Sequence, residues 1–316
     1  MTVNLRAACD CASQLASERQ HQAARFNRLG EMQNAIHIAL LRLSEIEAAY
    51  NLTFAEGWNQ TRSDWLRLLT HEPKGCFGTY CDDRLVGTVT TSVYSQELAW
   101  LGMMLVHREY RGTGIGRKLM LAALEYAKAE GVNTIKLDAT PAGRTLYEAM
   151  GFIPEAGIER WERSGSVHEV GENSIAIEDP IANDIYKIDR LAFGADRATM
   201  LDSLLQQSSA KPLIVRNPAG VASGYAMARP GSRAMYVGPI ISIDPLLTPA
   251  LVDQMVGQFA DQAIYVDFYK GSAADSNVLS ARGFTKQRAL TRMYWGTRGS
   301  TGLSPSLFAI AGPEIG

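Results

Sequence analysis

The feature that most constrains this chain is an apolar strand that runs into a glycine-rich turn and then into a helix. Residues 101–106 are almost entirely apolar, and the run Arg-Gly-Thr-Gly-Ile-Gly follows at 111–116. Apolar residues at helical spacing come next, at 119, 122, 123, 126 and 127. Backbone N–H groups at the start of a helix lack partners within the helix and lie at the positive end of its dipole. This order of elements therefore predicts a site for phosphate oxygens.

The glycine spacing is not specific by itself. Gly112, Gly114 and Gly116 alternate along the chain, which does not fit the dinucleotide fingerprint, and no Gly-Lys-Ser/Thr follows as in a nucleoside triphosphate loop. Glycine lets the backbone approach a ligand closely, and Arg111 and Arg117 add positive charge. A flexible strand-to-helix turn without a ligand is the alternative that the glycines alone leave open.

Composition narrows the class of partner. The chain has 316 residues, a length typical of about two domains, and a formal net charge of −2 without a basic stripe. We therefore expect no nucleic-acid partner. No apolar run approaches the ~20 residues of a membrane helix, and residues 1–31 lack the apolar centre of a secretory signal, so we expect a cytoplasmic protein without a membrane partner. The oligomeric state is left open.

The cysteines give no sign of a metal site. The chain contains Cys9, Cys11, Cys76 and Cys81, which form no CxxC pair and have no histidine cluster near them. Free thiols are the favoured interpretation, and we expect no bound metal.

The order of elements predicts an α/β (α+β) fold. In the first half, the predicted strands are 36–41, 76–81, 85–94, 101–106, 133–138 and 158–163, and the predicted helices beside the central one are 44–50, 63–69 and 142–150. A tight turn joins the second and third strands, which predicts a meander. The helical crossover between 101–106 and 133–138 predicts that these two strands are parallel.

The second half repeats the plan of the first. Ile-Lys-Leu-Asp at 135–138 matches Ile-Tyr-Val-Asp at 264–267, and Gly-Phe at 151–152 matches Gly-Phe at 283–284. Arg160 and Arg292 each lie nine positions after the glycine of their own half. Three matches in the same order indicate a duplicated fold.

This repeat divides the chain. We predict an N-terminal extension at 1–31, a first domain at 32–165, a polar linker around 165–173 and a second domain at 174–316. Where the first half has its glycine turn, the second has residues 243–248, which contain an aspartate and no glycine. We therefore expect one nucleotide site, in the first half.

Two motifs in a fixed order give the first half a family resemblance. Val-His-Arg-Glu-Tyr-Arg-Gly-Thr-Gly-Ile-Gly-Arg at 106–117 resembles the acetyl-coenzyme A signature of the GCN5-related N-acetyltransferases (GNAT), Arg/Gln-x-x-Gly-x-Gly/Ala. Leu-Tyr-Glu-Ala-Met-Gly-Phe at 146–152 is similar to that family's closing helix and strand. The second half resembles the degenerate C-terminal domain of a two-domain bacterial subgroup. The resemblance implies tandem GNAT-like folds, each a mixed central sheet flanked by helices.

The resemblance also implies acetyl-coenzyme A (acetyl-CoA) as the cofactor. The amides of residues 111–116 would hold the pyrophosphate, and the pantetheine arm would pair with the central strand, in a splay between that strand and the returning one. Thr140 stands where the family often has an asparagine that helps to hold the cofactor, and Arg108 stands where it often has proline. The implied cofactor-binding residues are Leu105, Val106, Arg111, Gly112, Thr113, Gly114, Ile115, Gly116, Arg117 and Thr140.

Two residues receive catalytic roles from the resemblance. The backbone amide of Val106 would polarise the thioester carbonyl and support the oxyanion. Tyr147 would act as the general acid that protonates the departing thiolate. A core tyrosine on an amphipathic helix is the alternative for Tyr147.

The acceptor site is less defined. Trp58 and Asn59 are predicted to line it, although a tryptophan is as often a packing residue. Asp138 and Asp267 end matching strands, where the ligands of open α/β sheets lie. A solvated or capping role is the favoured interpretation for each of the four carboxylates that are candidates for the general base: Glu56, Asp64, Glu97 and Asp138.

The sequence thus predicts an N-acetyltransferase. Acetyl-CoA and a primary amine of a small molecule or peptide would form a ternary complex, and the amine would attack directly. A non-catalytic acyl-CoA sensor and an acyltransferase that uses a longer acyl group are the alternatives. We expect the acceptor between the two halves, because domain interfaces are common ligand sites.

Overall fold

The computed structural model describes residues 36–165, 182–208, 210–299 and 301–316. The predicted extension at 1–31 and all but the first residue of the predicted linker lie outside these ranges. The described strands are β1 Ile36–Leu40, β2 Cys76–Cys81, β3 Arg84–Ser95, β4 Leu98–Val106, β5 Thr134–Ala139, β6 Ile153–Arg163, β7 Leu213–Arg216, β8 Ala222–Arg229, β9 Met235–Ser242, β10 Ile264–Tyr269, β11 Thr285–Gly296 and β12 Leu307–Ala309. The described α-helices are α1 Ile46–Ala55, α2 Arg62–His71, α3 Ile115–Ala129, α4 Pro141–Glu148, α5 Ala182–Phe193, α6 Ala198–Gln207, α7 Thr248–Gly257 and α8 Asn277–Ser280.

All of the described strands belong to one mixed sheet with helices packed on it. The strand order is β1-β2-β3-β4-β5-β11-β6-β10-β12-β9-β8-β7. Two pairs are parallel, β4 with β5 and β9 with β10, and the other described pairs are antiparallel. The predicted meander of β2 and β3 and the predicted parallel return of β5 are therefore confirmed.

The two halves exchange strands at the centre of this sheet. The sequence predicted that residues 158–163 close the sheet of the first half. Instead, β11 of the second half lies between β5 and β6, and β6 pairs with β10 of the second half. Each half thus completes the sheet of the other, because the long strands β6 and β11 pair antiparallel where the two sheets meet. The predicted ranges 32–165 and 174–316 do not form separate sheets.

Two buried ion pairs fasten the exchanged strands. Arg160 on β6 donates from Nε and Nη2 to the carboxylate of Asp267 on β10, at 2.8 and 2.6 Å. Arg292 on β11 donates from Nε and Nη2 to the carboxylate of Asp138 on β5, at 2.8 and 2.9 Å. Both aspartate side chains are completely buried. The repeated spacing in the sequence therefore places each arginine against the aspartate of the other half.

The two halves differ in the slot beside their central strands. In the second half β9 and β10 pair at only two positions before they diverge, and β12 fills the gap by pairing with both strands. In the first half β4 and β5 pair only as far as Trp100 and Lys136. None of the described strands enters the gap beyond that point, so the first half has an open slot.

Helix α2 carries one of the carboxylates considered as a base. The sequence predicted Ser63 as its cap, but the N-cap is Thr61, whose hydroxyl accepts a hydrogen bond from the Asp64 amide at 3.3 Å. The Asp64 carboxylate accepts in return from the Thr61 amide at 2.7 Å. This reciprocal capping box satisfies two amides at the start of the helix and fixes Asp64 in a structural position.

Breaking one of the exchanged ion pairs should strongly destabilise the fold. Replacing Asp267 with Asn leaves the buried Arg160 guanidinium without a counter-charge, and we expect a loss of about 3–5 kcal/mol in the free energy of unfolding. Although burial opposes ionisation, Arg160 lowers the pKa of Asp267, so wild type should lose this contribution only as the pH falls below the ordinary carboxyl range. Urea titration at pH 7 measures the difference.

The matched control is Glu47→Gln, which removes the carboxylate of the exposed Arg62–Glu47 pair. This change should affect the unfolding free energy much less, because solvent screens an exposed pair. Equal losses in the two variants would contradict the role assigned to the buried pair.

Candidate active site

Within the described ranges, the glycine turn leaves the first backbone amides of α3 without a partner. Gly112 and Gly114 have φ angles of 79° and 86°, in the left-handed region that favours glycine, and each faces open space where a side chain would begin. Gly114 is the N-cap of α3 and makes no side-chain capping bond, so the first amides of the helix are free for a ligand. The turn is held by Thr113, whose hydroxyl donates to the Tyr110 carbonyl at 2.6 Å.

A cleft of about 560 Å³ runs from this turn along β4 to α4. Thr113 does not line it, because its hydroxyl is directed at Tyr110. The structure does bring the other predicted cofactor residues together along the cleft, namely Leu105, Val106, Arg111, Gly112, Gly114, Ile115, Gly116, Arg117 and Thr140. Thr140 also caps α4, since its hydroxyl accepts from the Gly143 amide at 3.2 Å.

A bulge in β4 adjoins the open slot. The register between β3 and β4 shifts between Thr88 and Thr90, and Met103 has a φ of 48°. The Met103 carbonyl accepts a hydrogen bond from the Thr88 hydroxyl at 2.7 Å, which holds this conformation. Because a bulge bends its strand, it directs β4 away from β5 and produces the splay that the resemblance implied.

Tyr147 lies where the cleft meets a second, inner cavity. Its ring packs edge-on against Phe152 with 6.0 Å between centroids, and only 8% of the residue is exposed. The hydroxyl has no hydrogen-bond partner within the described ranges. Burial raises the pKa of Tyr147, so the phenol keeps its proton.

The inner cavity, of about 80 Å³, lies between the two halves. It shares Trp58, Met104, Thr140 and Tyr147 with the cleft, so the two cavities adjoin each other at these residues. Both halves also contribute charged and amide side chains to its lining, namely Gln60, Asp138, Arg288 and Glu314. Most of the remaining wall is apolar.

The C-terminal segment forms one wall of this cavity. Trp100 Nε1 donates to the Pro313 carbonyl at 3.0 Å, and the Tyr94 hydroxyl donates to the Ile315 carbonyl at 2.7 Å. A side chain at Gly102 would come within 2.5 Å of the Glu314 carbonyl oxygen, so this contact requires glycine. The end of the second half is thereby packed against the open slot of the first.

Glu314 is the site residue that sequence reasoning missed. Its carboxylate accepts hydrogen bonds from Arg229 Nη2 at 2.7 Å and from Gln60 Nε2 at 2.8 Å. Burial raises the pKa of Glu314 although Arg229 opposes this shift. The sequence offered no spacing that links residue 314 to the glycine turn, because the contact depends on the packing of one half against the other.

Two of the four predicted bases, Asp64 and Glu97, lie away from the inner cavity. The carboxylate of Asp64 is buried and pairs with Arg67 at 2.7 Å and Arg229 at 3.2 Å. Glu97 is exposed in the turn between β3 and β4, at the end of β4 opposite to the glycine turn.

The other two predicted bases, Glu56 and Asp138, line the cleft or the inner cavity but form ion pairs with arginines. Glu56 lines the cleft and pairs with Arg108 at 2.7 Å and with Arg111 at 2.8 Å. Asp138 lines the inner cavity, but both of its oxygens accept from Arg292.

The residues predicted to line the acceptor site lie in different parts of the structure. Trp58 lines both the cleft and the inner cavity. Asn59 instead anchors its loop to the second half, since Nδ2 donates to the Ala234 carbonyl and Oδ1 accepts from the Ala234 amide, each at 3.0 Å. Asp267 is buried and bound by Arg160 and by the Tyr236 hydroxyl at 3.1 Å, so we correct its placement from the acceptor site to the sheet.

The described ranges contain no group of three or more His, Cys, Asp and Glu side chains arranged to hold a metal ion. Cys76 and Cys81 are buried free thiols. Among the same residues, no helix has the length and apolar character needed to cross a membrane.

Family models match both halves of the chain. Residues 40–152 match the acetyltransferase (GNAT) family, and residues 185–309 match an acetyltransferase (GNAT) domain. Together the two matches cover about three quarters of the chain. They confirm the resemblance that the motifs indicated.

Known relatives agree with these matches. An uncharacterized N-acetyltransferase of Bacillus subtilis (strain 168) is 23% identical over 64% of this chain and 72% of its own length. The holothin acyltransferase of Pseudoalteromonas sp. (strain SANK 73390) is 23% identical over 87% of this chain and 92% of its own. A solved structure from Pyrococcus horikoshii, of a protein assigned as an acetyltransferase, superimposes with a TM-score of 0.77 at 22% identity, covering 89% of this chain and 96% of that one. The chain belongs to the acetyltransferase (GNAT) family, with a GNAT domain in each half, and is an acyltransferase.

Proposed function

We propose that the first half transfers an acetyl group from acetyl-CoA to a primary amine of a small molecule. The observation that carries this proposal is the arrangement of the cleft, which begins at the glycine turn, next to the inner cavity, with Tyr147 lining both. The inner cavity, at about 80 Å³, favours a small acceptor over a peptide. The second half would bind no donor, because it lacks the glycine turn and β12 fills its slot.

The donor would lie in the cleft. The free amides that start α3 and the exposed Arg117 suit a pyrophosphate. The backbone of Leu105 and Val106 lies along the cleft, where a pantetheine arm would pair with it as an added strand. The thioester would then reach the inner cavity beside Tyr147, with the Val106 amide or a neighbouring one supporting the oxyanion.

The reaction would proceed by direct attack. The amine nitrogen forms a bond to the thioester carbonyl carbon and yields its proton to Glu314, directly or through water. The bond from this carbon to sulfur then breaks, and the departing thiolate takes the proton of Tyr147. A carboxylate with a raised pKa and a buried phenol suit these two roles.

The length of the acyl chain on the donor distinguishes two candidate functions. One relative is named as an acyltransferase for holothin, which makes a longer acyl group the second candidate. Rates of thiol release with acetyl-CoA and with longer acyl-CoA thioesters would rank the donors, and a higher kcat/KM for a longer chain would replace acetyl-CoA in the proposal.

The donor site is tested at Gly114. Replacing Gly114 with Glu places a carboxylate in the phosphate site and strains a φ of 86°, so we expect the affinity for acetyl-CoA to fall at least about 100-fold. Calorimetry measures this loss. Gly220→Glu is the matched control, because Gly220 also faces open space at a positive φ but lies in the second half. Equal affinities in Gly114→Glu and wild type would exclude the proposed donor site.

The acid is tested at Tyr147. We expect Tyr147→Phe to lower kcat about 10²- to 10⁴-fold without weakening acetyl-CoA binding, because the thiolate loses its proton donor. Tyr126→Phe is the control, since the Tyr126 hydroxyl is engaged by Glu72 outside the cleft. An unchanged kcat for Tyr147→Phe from pH 6 to about pH 9, a range that spans the usual amine and histidine titrations, would remove the proposed acid.

The base is tested at Glu314. Because the base must be ionised, kcat at saturating amine should fall as the pH drops through the raised pKa of Glu314. We expect Glu314→Gln to lower kcat about 10²- to 10⁴-fold. It should also abolish the fall in kcat at low pH, which is the acidic limb of the pH profile.

Asp64→Asn separates catalysis from structure in this test. Asp64 also pairs with Arg229, but it does not line the inner cavity. The variant should lose stability and keep the acidic limb. An acidic limb that persists in Glu314→Gln would show that another group is the base.

A further inference from the structure

Arg288 is a cation at the inner cavity for which the described residues provide no ion-pair partner. It lies on the exchanged strand β11, directly after a register shift between Lys286 and Arg288, and it is half-buried. Its Nε is shielded from solvent and has no hydrogen-bond partner. Across the described ranges, no ion pair or hydrogen bond engages its guanidinium.

The surroundings of Arg288 leave its positive charge uncompensated. Its cross-strand neighbour is Arg160, and the nearby carboxylate of Asp267 is held in a bidentate pair by Arg160. Tyr236 and Tyr265 are the other side chains that act on it, and neither carries a carboxylate. Burial lowers the pKa of Arg288, which reflects the cost of a desolvated cation without a partner.

The carboxylates that line the inner cavity are not available to Arg288. Asp138 is bound through both oxygens by Arg292, and Glu314 is bound by Arg229 and Gln60. The cavity is therefore lined by Glu314, the proposed proton acceptor, whose carboxylate already accepts hydrogen bonds. It is also lined by Arg288, whose guanidinium has no ion-pair partner in the described ranges. A guanidinium of this kind forms strong, often bidentate, hydrogen bonds with a carboxylate.

We propose that the acceptor amine also carries a carboxylate, which Arg288 binds, so that the acceptor is an amino acid with a small apolar side chain. The apolar part of the wall, with Leu101, Met103, Leu137 and Leu290, surrounds that side chain. The amino group then faces Glu314 and the thioester, and the carboxylate of the acceptor compensates the charge of Arg288. This inference rests on the proposed acetyl transfer and names its acceptor class.

The first experiment measures binding without reaction. The full chain is saturated with coenzyme A, and valine, valinamide and isobutylamine are titrated into it by calorimetry. These three ligands share the amine and the side chain and differ in the carboxylate. We expect valine to bind at least about tenfold more tightly than either of the other two, because hydrogen bonds between charged groups are the strong ones.

The second experiment measures specificity. The full chain is assayed for thiol release from acetyl-CoA with the same three compounds and with the other apolar amino acids and their amides. Wild type should show a kcat/KM at least about tenfold higher for each accepted acid than for its amide. Arg288→Gln should abolish that ratio, because the loss in kcat/KM falls on the acids and not on the amides.

The matched control is Arg163→Gln. Arg163 is also buried, lies on the other exchanged strand and has an Nε without a partner, but it does not line the inner cavity. This variant should keep the preference for acids over amides. A preference lost equally in Arg163→Gln and Arg288→Gln would assign it to the fold and overturn the carboxylate site.

The outcomes separate this inference from the proposed function. Acetylation of valine and valinamide with equal kcat/KM, together with equal affinities, overturns the carboxylate site and leaves amine acetylation intact. Tight binding of valine that depends on Arg288, without thiol release from any amine, supports the carboxylate site and overturns the proposed reaction.

Discussion

The exchange of strands between the two halves, fastened by reciprocal buried ion pairs, is the constraint on which the rest of this structure depends. Asp138 and Asp267 stand at equivalent places in the two halves, and each is bound by an arginine from the other half. Breaking such a pair leaves a desolvated charge, so the halves are coupled through the centre of one sheet and not merely in contact at a surface. The inner cavity lies beside this exchanged region and takes its lining from both halves.

The exchange also explains why residues of the second half line the inner cavity beside the open slot of the first. Strand β12 fills the slot of the second half, and the chain then continues to Glu314 at the open slot of the first. The exchanged strand β11 brings Arg288 to the same cavity. In the mechanism proposed here, the first half binds the donor, and the second half supplies the base and the contact that selects the acceptor.

Several carboxylates that look catalytic in the sequence serve the fold instead. Asp64 closes a capping box and joins a buried cluster with Arg67 and Arg229. Asp267 is enclosed by Arg160 and Tyr236. In a sequence, a carboxylate at a strand end or beside a helix start looks the same whether it serves catalysis or the fold. Its role depends on which groups the tertiary fold places around it. One guanidinium holds both oxygens of Asp267, whereas Arg229 holds one oxygen of Glu314 and the neutral amide of Gln60 holds the other.

The sequence by itself determined the local elements and the donor side. The apolar strand, the glycines with positive φ and the start of α3 lie within a short segment, so backbone sterics and helix geometry specify them without long-range contacts. The repeat was visible because duplicated strands keep their apolar pattern. Only the tertiary structure decided the acceptor side. The strand exchange, the filling of the second slot by β12 and the meeting of Glu314 and Arg288 with Tyr147 join residues far apart in the chain, and their juxtaposition depends on the pairing of β6 with β11.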